Sequence, residues 1–314
     1  FEKVESLSYS PFEGYDKKVL SPKQIEEDVS MLSHFTSKVR TYSTADAKVI
    51  LEATSKTDIP VDLGIWISGD HKENHLEIQR ALKLLEQYPD NIANVIVGNE
   101  TLLRADLNEE ELFAYIDFVA EFTNKPITCA ETWDVWERIP TLANHVDFIT
   151  IHILPYWEKV PIERFNDFII EKYSVVENLF PYKKINIGET GWPSHGYNNN
   201  NAVPSLKNQA VAIRGFINLA SQKGWDYNIV EAFDQQWKGY DEGNVGQYWG
   251  IFTSDRELKF YLSGDIELNQ YWLYQMIAAI IIGALLTLFG LRNQKMNINH
   301  ALAYAVTAQG MAFG

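Results

Sequence analysis

The chain has 314 residues, with 27 Lys and Arg against 42 Asp and Glu, a net charge of −15. That sign weighs against a nucleic-acid binder, while a neutral glycan substrate is compatible with it, as is a plain acidic surface. The length supports one sizeable core, and the single cysteine, Cys129, excludes an internal disulfide.

In chain order, eight short apolar runs recur: Ser6–Phe12, Lys38–Tyr42, Val61–Ile67, Asn94–Glu100, Ile127–Trp133, Phe148–Trp157, Ile185–Trp192 and Tyr227–Trp237. Each is β-branched or aromatic and apolar nearly throughout, as strands buried on both faces are. Helical patterns lie between them. Ser21-Pro22-Lys23-Gln24 carries a cap residue, a proline at the first helical position and a glutamine at the third. Ile25, Val29 and Leu32 then form an apolar stripe, and Asn108 with Glu111 opens a later helix in the same way. Eight strands with intervening helices predict a (β/α)8 TIM barrel over residues 1–262. An open doubly wound sheet is the alternative, but it calls for a Gly-rich phosphate turn, and no such motif occurs.

Residues 263–267 read as a short linker. Leu268 to Leu291 then carries no charge, long enough to span a bilayer as a transmembrane helix. Tyr271, Trp272 and Tyr274 cluster at one end as an interfacial belt. Asp265 and Glu267 precede the segment, and Arg292 and Lys295 follow it. The positive-inside rule therefore puts the C-terminal side in the cytoplasm and the barrel on the periplasmic or extracellular side. Residues 292–314 read as a cytoplasmic turn and the truncated start of a second span. The chain opens at Phe1 without a leader, so a removed signal or a missing upstream segment is expected.

Two apolar runs end in a glutamate after a glycine: Val97-Gly98-Asn99-Glu100 and Ile187-Gly188-Glu189. Barrel chemistry sits at the C-terminal strand ends. A glutamate at the end of a buried strand is costly unless it is paired or used. Three strands apart, these two can face each other across the mouth. Retaining glycosidic cleavage needs such a pair about 5–5.5 Å apart, one neutral and one ionised. Mutual repulsion and burial are expected to raise the first, and a cation such as Arg40 to hold down the second. Ion pairs with barrel arginines are the other reading at this point.

The motifs Gly98-Asn99-Glu100 and Gly188-Glu189-Thr190-Gly191-Trp192-Pro193-Ser194 resemble those of glycoside hydrolase family 17, β-1,3-glucanases and related transglycosylases on retaining (β/α)8 barrels. Further matches are Ser8-Tyr9-Ser10-Pro11-Phe12, Arg40-Thr41-Tyr42-Ser43, His152-Ile153-Leu154-Pro155-Tyr156-Trp157-Glu158 and Glu231-Ala232-Phe233-Asp234. The wording of the sixth and eighth runs is similar to bacterial membrane-tethered members. The resemblance implies Glu100 as acid/base and Glu189 as nucleophile. It also implies Asn99 bonded to a sugar 2-hydroxyl and Tyr156 bonded to the nucleophile. It implies β-1,3-glucan or laminari-oligosaccharides as substrate, no cofactor, and a fused or associated glycosyltransferase beyond Gly314. Tethering tilts the expectation toward glucan transglycosylation, with endo-β-1,3-glucanase hydrolysis as the alternative and a non-catalytic glucan-binding barrel as a rival of another class.

Six tryptophans, Trp66, Trp133, Trp136, Trp157, Trp192 and Trp237, fall at or just past strand ends. Aromatic faces stack on pyranose rings, or else pack under loops. Tyr9, Tyr42 and Tyr156 could donate to sugar oxygens from the same ring of positions. Glu231, Asp234 and Lys238, like Glu131 and Asp134, read either as sugar ligands or as ion pairs. His152 reads as a barrel histidine or a substrate contact. His71 and His75 lack the zinc-protease order, so no metal is expected. The Asn99-Glu100-Thr101 glycosylation pattern is taken as chance, and Asn198–Asn201 as a solvated loop.

Overall fold

The computed structural model describes residues 3–265, 271–292 and 297–313. The chain divides into two compact units, Phe1–Gly264 and Asp265–Gly314.

In the first unit eight strands close into a barrel: β1 (Leu7–Ser8), β2 (Val39–Arg40), β3 (Val61–Ile65), β4 (Ile92–Asn99), β5 (Ile127–Thr132), β6 (Ile149–His152), β7 (Ile185–Thr190) and β8 (Asp226–Ile229). All eight pairings are parallel and join consecutive strands, with β8 returning to β1 through Leu7 and Ile229. This is the (β/α)8 TIM barrel expected from the alternation of apolar runs and helical patterns. β3 and β7 are buried at every position, so their polar members, Asp62 in β3 and Asn186, Glu189 and Thr190 in β7, lie inside with the apolar ones.

Two helices begin where the caps read from the sequence place them. In α1 (Pro22–Phe35) the Ser21 side chain accepts from Gln24 N with Pro22 in the first turn. Next come α2 (Ala47–Thr54) and α3 (His71–Gln87), the latter capped by Asp70. In α4 (Glu109–Glu121) Asn108 and Glu111 form a reciprocal capping box. The layer is completed by α5 (Trp133–Arg138), α6 (Phe165–Leu179) and α7 (Leu206–Lys223). A two-stranded hairpin, Phe12–Glu13 with Lys18–Val19, is inserted between β1 and α1.

The structure shortens several expected strands. The Tyr227–Trp237 run leaves the sheet after Ile229, and the residues beyond it stay apolar because Ala232 and Phe233 are buried as loop. Burial, not strand pairing, sets their composition.

In the second unit α8 (Trp272–Leu291) is long and apolar enough to cross a membrane. It packs against α9 (Ile298–Phe313), where Gln309 Nε2 donates to Ala279 O at 3.1 Å. Of the expected linker and span, residues 266–270 lie outside the described residues, as do Lys295, Phe1 and Gly314.

Candidate active site

The two glutamate-bearing strands share one irregularity. Between Ile96 and Asn99, β4 holds one more residue than its β5 partner, and between Ile187 and Glu189, β7 holds one more than its β6 partner. In both cases the irregularity includes the glycine before the glutamate. A bulge re-aims the side chains that follow it, here at the barrel mouth. Gly98 takes a φ of +85°, which favours glycine. At Gly188 the constraint is space: a Cβ would stand 2.3 Å from Thr150 Cγ2 and 3.0 Å from Arg40 Nη1.

Arg40 uses that space to cross the barrel. It is buried, and its guanidinium donates to Gly188 O at 2.5 Å and to Asn99 Oδ1 at 2.6 Å. It also lies 3.3 Å from His152 Nε2 and 3.7 Å from Glu189 Oε1. His152 Nδ1 meets Glu100 Oε1 at 2.7 Å. Tyr42 donates its hydroxyl to Glu189 Oε1 at 2.8 Å, and that hydroxyl pairs with Ser8 Oγ at 2.7 Å.

The ligand atoms of Glu100, His152 and Glu189 all lie within 4.8 Å of one another. The carboxyls thus stand near the separation that retaining chemistry requires, about 5 Å. A cation could in principle use the same three groups. The fixed charge of Arg40 beside Glu189 opposes one.

Burial raises the Glu100 carboxyl. The hydrogen bond from His152, with the positive charges of Arg104 and Arg40, outweighs that and holds it below its ordinary value. The expectation that repulsion between the glutamates keeps Glu100 high is therefore overturned, because cationic and donor groups surround it. Burial, then the Glu189 charge, pushes the Tyr42 phenol well up, so it stays a donor.

The carboxyls face a cleft of about 1500 Å³. Of the residues singled out from sequence, Tyr42, Trp66, Asn99 and His152 line it with them, as does Tyr9, whose hydroxyl, however, is buried and donates to Asp28 Oδ2 at 3.0 Å instead of to a sugar. So do Trp133, Trp157, Trp237 and Lys238 on the rim. Others are corrected. Tyr156 is buried and donates to Tyr197 O at 2.7 Å, so Tyr42 takes the place at Glu189 expected for it. Trp136 and Trp192 are buried, with ring N–H groups bonded to Thr150 O and Val203 O. Glu231 is paired with Lys238 at 2.8 Å and Asp234 with Lys259 at 2.6 Å. These five pack or brace the barrel instead of facing a sugar.

Sequence reasoning missed Lys17, Arg104, Glu242 and Trp249, which also line the cleft. Trp249 stacks on Trp157 at 6.0 Å and 27°. Lys17 lies over the Trp237 ring at 4.0 Å. All four sit on loops or short turns outside the apolar runs, so periodicity gave no signal for them.

A closed parallel barrel with two mouth carboxyls near 5 Å, braced by an arginine and a tyrosine, is the arrangement of a glycosidase. Residues 6–250 match the BtgE/BtgC glycoside hydrolase domain, and the chain belongs to that family. It is 29% identical over 256 residues to the glucan 1,3-beta-glucosidase of Schizosaccharomyces pombe, covering 75% of this chain and 79% of that protein. The glycoside hydrolase family 17 β-1,3-glucanosyltransferase of Rhizomucor miehei superposes with a TM-score of 0.75 at 25% identity, over 82% of this chain and 95% of that one. An endo-laminarinase from Formosa Hel1_33_131 shares the fold, with a TM-score of 0.71 at 20% identity over 80% and 84% of the two chains.

Proposed function

We propose that the protein is a retaining enzyme of β-1,3-glucan, with Glu189 as nucleophile and Glu100 as acid/base, and that it transfers glucan chains to a sugar acceptor. The single observation that carries the reading is the pair of carboxyls at the barrel mouth, with ligand atoms within 4.8 Å. Glu189, braced by Tyr42 and Arg40, attacks the anomeric carbon. Glu100 gives its proton to the departing glycosidic oxygen, leaving a glycosyl-enzyme ester. Glu100, now ionised, takes a proton from an incoming hydroxyl as that oxygen displaces Glu189. Two inversions restore the original configuration.

The substrate class rests on the similarity to proteins named for 1,3-linked glucan. The lean toward transfer rests on two supports. One is the glucanosyltransferase among the neighbours. The other is the volume of the cleft, about 1500 Å³ with tryptophans on its rim, enough to hold a donor and an acceptor together. Hydrolysis is the second reading, favoured by relatives named glucosidases. A non-catalytic glucan binder has no use for two carboxyls at bonding geometry. The apolar helix α8, followed by Arg292, supports an anchored protein with its barrel on the periplasmic or extracellular side.

Incubation with a laminari-oligosaccharide, with product lengths read by mass, tests the reading. Products longer than the substrate are expected. Shorter products alone would leave hydrolysis, and no turnover at all would remove the enzyme.

A further inference from the structure

The segment that carries Glu100 is strained and tied down from beneath. Glu100 itself adopts a φ of +53°, a conformation strained for a side-chain-bearing residue, which persists only where neighbours enforce it. Its own N–H reaches Ala130 O at 2.8 Å, and its carbonyl accepts from Arg104 N at 2.9 Å. The turn between these bonds ends on one side chain. Glu131 accepts from Leu102 N through Oε1 at 2.7 Å and from Leu103 N through Oε2 at 3.3 Å.

Glu131 is the penultimate residue of β5 and is completely buried. Side chains alternate along a strand. Thr132, the next residue, lines the cleft, and Glu131 does not. It therefore sits behind the barrel wall, under the segment that bears Glu100. We infer that Glu131 is the positioning residue for the acid/base: its two carboxylate oxygens clamp the Leu102 and Leu103 amides and fix the direction of the Glu100 side chain. Two acceptors for two N–H groups is a task a carboxylate meets and an amide does not, because Gln would aim its NH2 at one of the amides. Burial of this carboxyl pushes its pKa up to about 7, against the two amide bonds that pull it down; the clamp is complete in the ionised form, so the variants are compared at pH 8. A charge-bearing group kept where it is costly needs a role.

The inference rests on the proposed role of Glu100 and is tested beside it in the full-length chain. The probes are laminaripentaose, whose leaving sugar needs a proton, and 2,4-dinitrophenyl β-laminaribioside, whose leaving phenolate does not. For Glu131→Gln, kcat/KM on laminaripentaose is expected to fall about 10- to 100-fold, the scale of a misplacement near 1 Å. The first-turnover burst of dinitrophenolate is expected to change less than about threefold on the same grounds. Equal losses on both substrates, or no loss on either, overturn the inference. Glu100→Gln serves as the reference. If it lacks the leaving-group dependence, the assignment of Glu100 fails; if it has it and Glu131→Gln does not, only the positioning role fails. Should Glu131→Gln not fold, Glu131→Asp keeps both oxygens but withdraws them by a methylene. It is expected to show the same dependence with a smaller loss, and the same two outcomes overturn the inference.

Discussion

His152 Nδ1 stands 2.7 Å from Glu100 Oε1, and that contact fixes which ring nitrogen carries the proton. Arg40 Nη1 faces Nε2 at 3.3 Å, and a guanidinium only donates. Nε2 is therefore the acceptor and Nδ1–H the donor to Glu100. A donor to the ionised form lowers a carboxyl pKa, in the direction found for Glu100. An acid catalyst must hold its proton, so its pKa sets the basic limb of kcat/KM. The expected profile favours acidic pH. Replacing His152 by Phe removes the donor, so the Glu100 pKa rises and the basic limb moves to higher pH. A pH profile with that limb unmoved, or moved down, would contradict the assignment.

Tyr42 donates to Glu189 at 2.8 Å while Arg40 lies at 3.7 Å from the same oxygen. Both brace the carboxyl proposed as nucleophile. A hydrogen bond to a charged group is worth about 1.5–3 kcal/mol, so Tyr42→Phe is expected to cost about 10- to 100-fold in kcat/KM. Tyr156→Phe, by contrast, breaks a bond to Tyr197 O away from Glu189 and is expected to leave kcat/KM nearly unchanged. Steady-state rates for the two variants separate these positions, and equal losses would contradict the placement of Tyr42.

The barrel and both glutamates were legible in the sequence because they rest on local rules. A run buried on both faces is largely apolar, a cap residue marks the starts of α1 and α4, and an acid that ends a buried run stands out as costly, its role then implied by the family motif. The tyrosine beside Glu189 was not legible. Tyr42 and Tyr156 both lie at the ends of apolar runs, and only the closed barrel puts one against Glu189. Trp136 and Trp192 failed for a similar reason: an indole at a strand end can turn inward to a backbone carbonyl as readily as outward to a sugar. Glu131 gave a third ambiguity, a strand-end acid whose partners are backbone amides that no sequence pattern announces.

On the proposed transfer reading, Trp133 on the cleft rim is a candidate platform for the sugar acceptor. Its ring N–H is held by Glu158 at 3.1 Å, and Lys172 lies over the ring at 4.3 Å. The residue also lines the cleft, where a pyranose can meet it. Stacking of this kind contributes about 0.5–1.5 kcal/mol, so Trp133→Ala is expected to lower the ratio of transfer to hydrolysis about 3- to 10-fold. The rate of glycosyl-enzyme formation is expected to change less. Product ratios measured at several acceptor concentrations check this, and an unchanged ratio would take Trp133 out of the acceptor site.

Stability offers a separate view of Glu131. Its carboxyl titrates near 4.5 in the unfolded chain and at about 7 in the fold, through burial first, with Glu100 adding in the same direction and the Leu102 and Leu103 amides and His152 opposing. Between those values the native state holds a proton that the unfolded state has released. The unfolded state then binds fewer protons, so the free energy of unfolding falls as pH rises through that window. The contribution is fully present below about pH 4.5 and is lost by somewhat above pH 7, a change of about 3 kcal/mol. Glu131→Gln cannot titrate. Urea unfolding of the barrel at pH 5 and at pH 8 is therefore expected to show the wild type losing more stability than the variant, by an amount of that order. A wild-type-to-variant difference that stays constant across the window would mean that Glu131 is ionised throughout, already stabilised by its two amides and His152 more strongly than its burial opposes.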